Sequence, residues 1–472
     1  MRHFKQNQAV YMVLVAIILG IVLTACGDST KAAPTVGAAT TAPSTTTSAT
    51  TTAPTTSVAV IPTVTPTTVA ATTATTIAID TTTGAASTAP TTAIDTTAVP
   101  TTPPVTTTSA ATATPPPTAN PANLNKIIYA DGGKLFAIDT TNKSKTLLGS
   151  SRDGGFTRIS FSPVTGLIAA ASSDYPSVLL ILDLQGKNSP LFQNQPVYAI
   201  DIDPTWSPDG KLLLFTRVLD SNKDQKYDVK DKHELWLAEA TGANARKLAD
   251  GQQGTWASDG KRIAFVTDPK GTSQGVPADN ALHLINSEGK NEWEPINTKK
   301  IPSDWSAAGY PFGVSPTLIQ SPAFVDGGKK IAFTGASSGV VLSVNAFDGK
   351  DVKLWAGNPE GGYGRVWGLG NLMLVESMPP SGIQEVEIYD AAGTASATNP
   401  SLIRIGGVRQ NFNALLPAFS PDGKRVAFIK TTANSESALP FKGTLVVATI
   451  KDNVLNDQIE LTTGAFWGVA WS

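Results

Sequence analysis

From Lys126 onward the chain is a succession of short apolar runs separated by turns rich in Gly, Asp, Asn and Pro. Runs of this length and alternation read as strands. The clearest is Phe419-Ser420-Pro421-Asp422-Gly423-Lys424-Arg425-Val426-Ala427-Phe428: the end of one strand, a tight turn on Pro-Asp-Gly, and an alternating second strand. The phrase returns at Trp206 to Phe215 and at Trp256 to Phe265, with weaker copies at Phe324 to Phe333 and Phe161 to Ala169. A hairpin recurring at roughly 45 to 70 residues is the signature of a propeller or solenoid, whose units cannot bury their apolar faces alone.

The anchor residues that end each inner strand are Phe161, Trp206, Trp256, Phe324, Phe419 and Trp471. The interval of 95 residues between Phe324 and Phe419 is long enough to hide a further unit, and Trp367 with its Gly368-Leu369-Gly370-Asn371 turn supplies one. The spacings become 45, 50, 68, 43, 52 and 52. The chain begins its ordered part with three strands, Ile127 to Ala130, Leu135 to Asp139 and Lys145 to Leu148, and ends on an inner strand, Phe466 to Trp471. The two fragments complete one another. The expected fold is an all-β, seven-bladed β-propeller over residues 126–472, closed by pairing of the C-terminal strand with the N-terminal blade. Six blades follow if Trp367 belongs to an insertion, and eight if the interval of 68 hides another. Third strands are expected at Glu234 to Ala238, Ala281 to Asn286, Val341 to Asn345, Glu385 to Asp390 and Gly443 to Ala448. Proline pre-sets φ at the turn and glycine takes the positive φ, while the aromatic anchors are expected in the core.

These phrases resemble the WD-like repeats of TolB-like propellers and of the prolyl oligopeptidase group, whose blades run Trp-Ser-Pro-Asp-Gly-Lys into an Ile-Ala-Phe strand. The resemblance covers residues 126–472 and implies a propeller used either as a binding scaffold or as a gating domain. The α/β or hydrolase partner domain of those groups has no counterpart in this sequence.

The first 125 residues are of another kind. Arg2, His3 and Lys5 precede an apolar run from Ala9 to Val22, the pattern of an export signal and shorter than the roughly 20 residues of a spanning helix. Leu23-Thr24-Ala25-Cys26 resembles the lipobox of bacterial lipoproteins. That resemblance implies a signal peptide over residues 1–25, acylation of Cys26 and a lipid-anchored protein on the outer face of the cell membrane; Gly27 stands where diderm lipoproteins carry a retention aspartate. An uncleaved anchor helix is the alternative. Residues 32 to 125 hold only two charged side chains, Asp80 and Asp95, among Thr, Ala, Pro and Ser. Too little apolar surface is available to repay ordering, so residues 26–125 are expected to be an extended, disordered stalk whose composition resembles O-glycosylated spacers.

Net charge is -2, with no long basic block, which argues against nucleic acid as a partner. A single cysteine excludes disulfides within the chain. No phosphate loop or zinc helix is present. His233 and His283 occupy similar blade positions, compatible with a paired metal or acid/base site or with two separately packed side chains. Asp220, Asn222, Asp224 and Asp228 offer hard oxygen ligands in an insertion that resembles the start of a calcium loop, but Gln225 stands where that loop needs glycine and Asp231 where it needs glutamate. A Ca²⁺ site and a solvated hairpin loop both remain open, and no other cofactor is expected. A second insertion, Glu292 to Ser321, carries Trp293, Trp305, Tyr310 and Phe312; with Tyr363 these form candidate binding-face aromatics, or caps on the blade they interrupt. The expected function is an anchored, monomeric binding scaffold for an extracytoplasmic protein, peptide or glycan. The alternative is a propeller hydrolase or lyase on sugars or peptides, for which Asp304 and the carboxylates of the 220–231 loop are the nominees.

Overall fold

A computed structural model describes residues 120–151, 155–172, 177–223, 231–273, 276–306, 313–357, 361–393, 403–433 and 439–471. Residues 1–119, on which the expected signal peptide, Cys26 and most of the expected stalk fall, lie outside them, as do Asp224, Asp228, Tyr310 and Phe312.

Blade 1 takes β1 (Lys126–Asp131), β2 (Lys134–Asp139) and β3 (Lys145–Ser150) from the start of the domain. Blade 2 is β4 (Phe156–Phe161), β5 (Ile168–Ser172), β6 (Leu179–Leu182) and β7 (Asn188–Pro190). Blade 3 is β8 (Ala199–Trp206), β9 (Leu212–Leu219), β10 (Lys232–Glu239) and β11 (Arg246–Asp250). Blade 4 is β12 (Gln252–Trp256), β13 (Arg262–Val266), β16 (Ala281–Asn286) and β17 (Trp293–Asn297), with the small hairpin β14 (Gly271–Ser273) and β15 (Val276–Ala278) inserted. Blade 5 is β18 (Ile319–Val325), β19 (Lys330–Gly335), β20 (Val340–Asn345) and β21 (Lys353–Gly357). Blade 6 is β22 (Gly362–Leu369), β23 (Leu372–Met378), β24 (Glu385–Asp390) and β25 (Ile403–Gly406). Blade 7 is β26 (Phe412–Phe419), β27 (Arg425–Thr432), β28 (Phe441–Lys451) and β29 (Val454–Ala470).

The 17-residue β29 serves two blades. Most of it pairs with β28 as the outer strand of blade 7; its end pairs with β1, Val469 opposite Tyr129 and Ala470 opposite Ile128. Counted as hydrogen-bonded sheets the ring therefore has six members, one of them seven-stranded in the order β26-β27-β28-β29-β1-β2-β3. Counted as four-stranded blades it has seven. The segment around Trp367 is the inner strand of blade 6, and the interval before Phe324 holds a hairpin and a connection rather than another blade. Each pair of neighbouring blades shares one hydrophobic cluster, seven in all among the described residues. No blade has a private core of that size, which is why the repeat must close to be stable.

Closure is reinforced on the Trp471 side. Its buried indole donates from Nε1 to the Leu124 carbonyl at 2.9 Å, and the Arg425 guanidinium lies 4.7 Å above the ring. Arg425 also donates to Thr140 and Asn125 of blade 1. The anchors Phe161, Trp206, Trp256, Phe324, Phe419 and Trp471 are all buried between blades.

The hairpin turns behave as their composition requires. Gly210, Gly260 and Gly423 take φ of 70°, 66° and 68°. Asp209 accepts from the Ser207 hydroxyl at 2.6 Å and from the Lys211 amide at 3.2 Å, and Asp422 repeats both bonds with Ser420 and Lys424. These local bonds satisfy turn groups that the ladder leaves unpaired. Antiparallel order puts all such turns on one end of the barrel of inner strands, the turn face. The second-to-third-strand loops and the crossings between blades start from the other end, the loop face, where the described segments 220–223, 267–273, 276–280, 298–306 and 313–318 lie.

Candidate functional site

Each inner strand is interrupted once, at the same level. The ladder slips between Thr157 and Ile159, Ile202 and Thr205, Gln252 and Thr255, Gln320 and Ala323, Tyr363 and Val366, and Leu415 and Ala418, and on blade 1 at Ala130/Asp131 opposite Trp467. Five of the extra residues are left-handed without being glycine: Arg158, Asp203, Gln253, Ser321 and Leu416, with φ between 48° and 56°. Such a conformation costs an L-residue about 1–2 kcal/mol, so each is held there by its surroundings. Pro204, Pro322 and Pro417 sit inside three of these slips, a place where a strand tolerates the missing N–H. A bulge re-aims side chains, and here it brings polar groups together on the axis.

Asp203 of β8 is the centre of that group. Its Oδ1 pairs with Arg158 Nε of the neighbouring blade at 3.1 Å and accepts from Arg365 Nη2 of blade 6, across the ring, at 3.0 Å. Glu376 of β23 completes the cluster, accepting the Arg365 amide on Oε2 at 3.4 Å and the Leu416 amide on Oε1 at 3.2 Å. On the facing blades the Ser321 amide donates to Gln253 Oε1 at 2.7 Å, so the same level is tied together between blades 4 and 5. Solvent still reaches the centre: the side chains of Arg365, Arg158 and Asp203 are 29%, 19% and 13% exposed.

The charges follow from this packing. Burial alone would raise the Asp203 carboxyl, but Arg158 and Arg365 outweigh it and hold it below the usual carboxylate range, with a smaller pull from His233. Burial and the facing Arg365 lower the Arg158 guanidinium to about 10, against the attraction of Asp203 and Glu376. Glu376 goes the other way: burial outweighs the two guanidiniums and the two amide donors and raises its carboxyl. Two cations and two carboxylates thus meet, one carboxyl held below its usual range and the other raised above it.

The residues singled out from the sequence lie elsewhere. His233, at the start of β10, is buried with its Nδ1 2.9 Å from Asp268 Oδ1, and its amide donates to Asp268 Oδ2; Gln252 Nε2 binds the same carboxylate. His283 of β16 faces the outer strand instead, with Nδ1 2.7 Å from Glu292 and Nε2 3.8 Å from Glu294. The two histidines therefore belong to separate carboxylate pairs. Asp220 is buried and Asn222 exposed at the loop face, where Asp231 Oδ1 accepts the Ser221 amide. Among the described residues no group of three or more His, Cys, Asp or Glu is placed to hold a metal ion. Trp293 and Trp305 are half-buried against the cluster shared by blades 4 and 5, Trp305 donating to the Pro302 carbonyl at 2.7 Å. Tyr363, at the start of β22, packs on the cluster shared by blades 5 and 6. Asp304 is exposed on the crossing between blades 4 and 5, its carboxyl lowered by the Ser306 amide.

Reasoning on the sequence missed Arg158, Asp203, Arg365 and Glu376. The signal available was the proline two residues before three anchors, Pro204-Thr205-Trp206, Pro322-Ala323-Phe324 and Pro417-Ala418-Phe419, which marks a bulge within an otherwise apolar strand.

No protein-family model matches the chain, and no curated protein matches it. Among solved structures it is similar to TolB from Acinetobacter baumannii, at 15% identity over 75% of this chain and 68% of that one, with a TM-score of 0.42. It is also similar to an oligogalacturonate lyase in complex with manganese, at 15% identity over 70% and 87% with a TM-score of 0.48. A puromycin-hydrolysing peptidase from Mycobacterium tuberculosis gives 12% identity over 73% and 54%, with a TM-score of 0.45. The β-propeller fold itself is shown by the strand order of the sheets, and it serves binding proteins and enzymes alike.

Proposed function

We propose that the protein is an extracytoplasmic binding module, anchored through a lipid on Cys26, carried on the spacer of residues 26–125, and taking a protein, peptide or glycan partner on the loop face of a monomeric propeller. The observation that supports this reading is a convergence: the described segments 220–223, 298–306 and 313–318 and the strands leading down to the axial charge cluster all open on the same face. Loops on a rigid scaffold around a concave, polar centre are where propellers engage partners. Two chains of acyl carbon, each CH₂ worth about 0.8 kcal/mol when buried, suffice for stable anchoring.

The experiment is site-specific photo-crosslinking in intact cells of the source organism. A crosslinker at Val197, 70% exposed on the loop face, should form partner adducts, whereas one at Phe347, 65% exposed on the turn face, should not. Adducts only from Phe347, or from neither, overturn the reading. Replacing Cys26 by Ala should release the protein from the membrane fraction.

A second reading, a hydrolase or lyase on sugars or peptides, draws on one observation: Glu376, a carboxyl raised by burial, faces two guanidiniums at a solvent-reached centre. Burial shifts such a group toward its protonated, proton-donating form, while the arginines hold an anionic substrate. Turnover of peptide or acidic-sugar substrates that is abolished in Glu376→Gln would move this reading to the front.

A further inference from the structure

We propose that the axial cluster of Arg158, Arg365, Asp203 and Glu376 is a docking point for the C-terminal carboxylate of a peptide that enters end-on from the loop face. The inference rests on the binding-module reading and adds the chemical identity of the part of the partner that reaches deepest.

Geometry selects a chain end. Asp203 is the fifth residue of β8, roughly 13 Å below its loop-face end at about 3.3 Å per residue. At that depth Arg365 crosses the ring from blade 6 to meet Asp203 of blade 3 at 3.0 Å. A ligand therefore cannot thread through, and a folded surface cannot reach so far. An extended peptide tip can, and its last group is a carboxylate.

Chemistry selects the carboxylate. Two guanidiniums from different blades already converge on one carboxylate oxygen, Asp203 Oδ1. A planar guanidinium is matched to a carboxylate in a way that an ammonium is not. The two cations also oppose one another, as the lowered Arg158 shows, so a further anion between them is favourable. The charge balance is completed by Glu376. With all four groups ionised the cluster is neutral; when the peptide carboxylate binds, Glu376 takes one proton from solvent and neutrality is kept. Burial raises that carboxyl, the direction that favours the uptake.

The groups facing Glu376 are Arg365 of β22, Arg158 of β4 and the Leu416 amide of β26, with Asp203 of β8 and, beyond it, His233 of β10. Because proton uptake on Glu376 accompanies binding, affinity rises as pH falls through the raised value of this carboxyl.

The test is calorimetric titration of the full-length protein with N-acetyl-trialanine, its C-terminal amide, and glucuronate, at pH 5.5 and 7.5. The free acid should bind at least tenfold more tightly than the amide, and more tightly at the lower pH. Arg365→Met should lose at least tenfold. Glu376→Gln, which keeps the shape of the protonated side chain, should bind at least as tightly as wild type and lose the pH dependence; it serves as the check if Arg365→Met fails to fold. Equal affinity for acid and amide, an unchanged Arg365→Met, or an unchanged pH slope in Glu376→Gln overturns the proposal, and glucuronate binding as tightly as the peptide acid overturns its assignment to a peptide end. Loop-face adducts without carboxylate selectivity would sink this inference alone; carboxylate binding without loop-face adducts would sink the partner reading alone.

Discussion

Asp201 and Asp203 stand two residues apart on the same strand and meet opposite fates. Asp201 is fully buried in the regular part of the ladder, directly across from Arg217, which donates from Nε and Nη2 at 2.8 Å each. The Arg217 guanidinium is itself enclosed by Trp236 at 4.5 Å, Phe192 at 5.0 Å and Phe215 at 5.6 Å. Asp203 falls on the bulge, where alternation is broken, and its side chain is served by arginines from two other blades. One pair is closed to water and local to a blade; the other is reached by water and spans the ring. A carboxylate within a ladder holds a blade together, whereas one on a bulge is presented to whatever enters the axis.

Breaking the closed pair should do the most damage. Asp201→Ala leaves the Arg217 charge buried without its partner, and a loss of about 3–5 kcal/mol is expected in chemical unfolding of the protein. Asp203→Asn should cost less, about 1–2 kcal/mol, because water reaches the stranded guanidiniums. A larger loss from Asp203→Asn than from Asp201→Ala would reverse the comparison.

Acid sharpens it. Asp203 ionises below its ordinary value of 3.8, so its stabilisation is present above that value and is lost as pH falls through the lowered one. The stability gap between wild type and Asp203→Asn should therefore close in the acid limb below about pH 4. Glu376 has the opposite sign: its carboxyl is raised above 4.5, so its contribution is present below that value and lost as pH rises through the raised one. Glu376→Gln should gain on wild type at neutral pH and not at pH 4; a uniform offset in a stability–pH profile would show that the group does not titrate as described.

The smallest effect concerns the backbone that makes the bulge. Ser321 has φ of 50°. Ser321→Gly should stay within about 0.5 kcal/mol of wild type, relief of strain offsetting the added chain entropy, whereas Ser321→Val should cost about 1–2 kcal/mol. Equal effects of the two in thermal unfolding would remove strain from the account.

Much of the architecture was legible because it rests on local chemistry repeated many times. Pro421-Asp422-Gly423 and its copies specify a turn whatever surrounds them, and the aromatic before each turn marks an inner strand. The closing strand was legible for the same reason: Phe466 to Trp471 repeats the lead-in to the turn and then stops, and it pairs where a complementary fragment requires. The axial site was not legible. Arg158, Asp203 and Arg365 are separated by 45 and 162 residues, and in a regular strand Asp203 would share the face of Asp201. Likewise Trp293 and Trp305 stood out as large aromatics in an insertion, yet what they pack against depends on the neighbouring blade.

The sequence by itself determined the repeat, the turns, the anchors and the order of the blades, since each is set by interactions within some ten residues. The tertiary structure alone decided which side chains face the axis. A bulge of one residue undoes the two-residue alternation on which a face is read, and the charges that meet there come from strands brought together only by closing the ring.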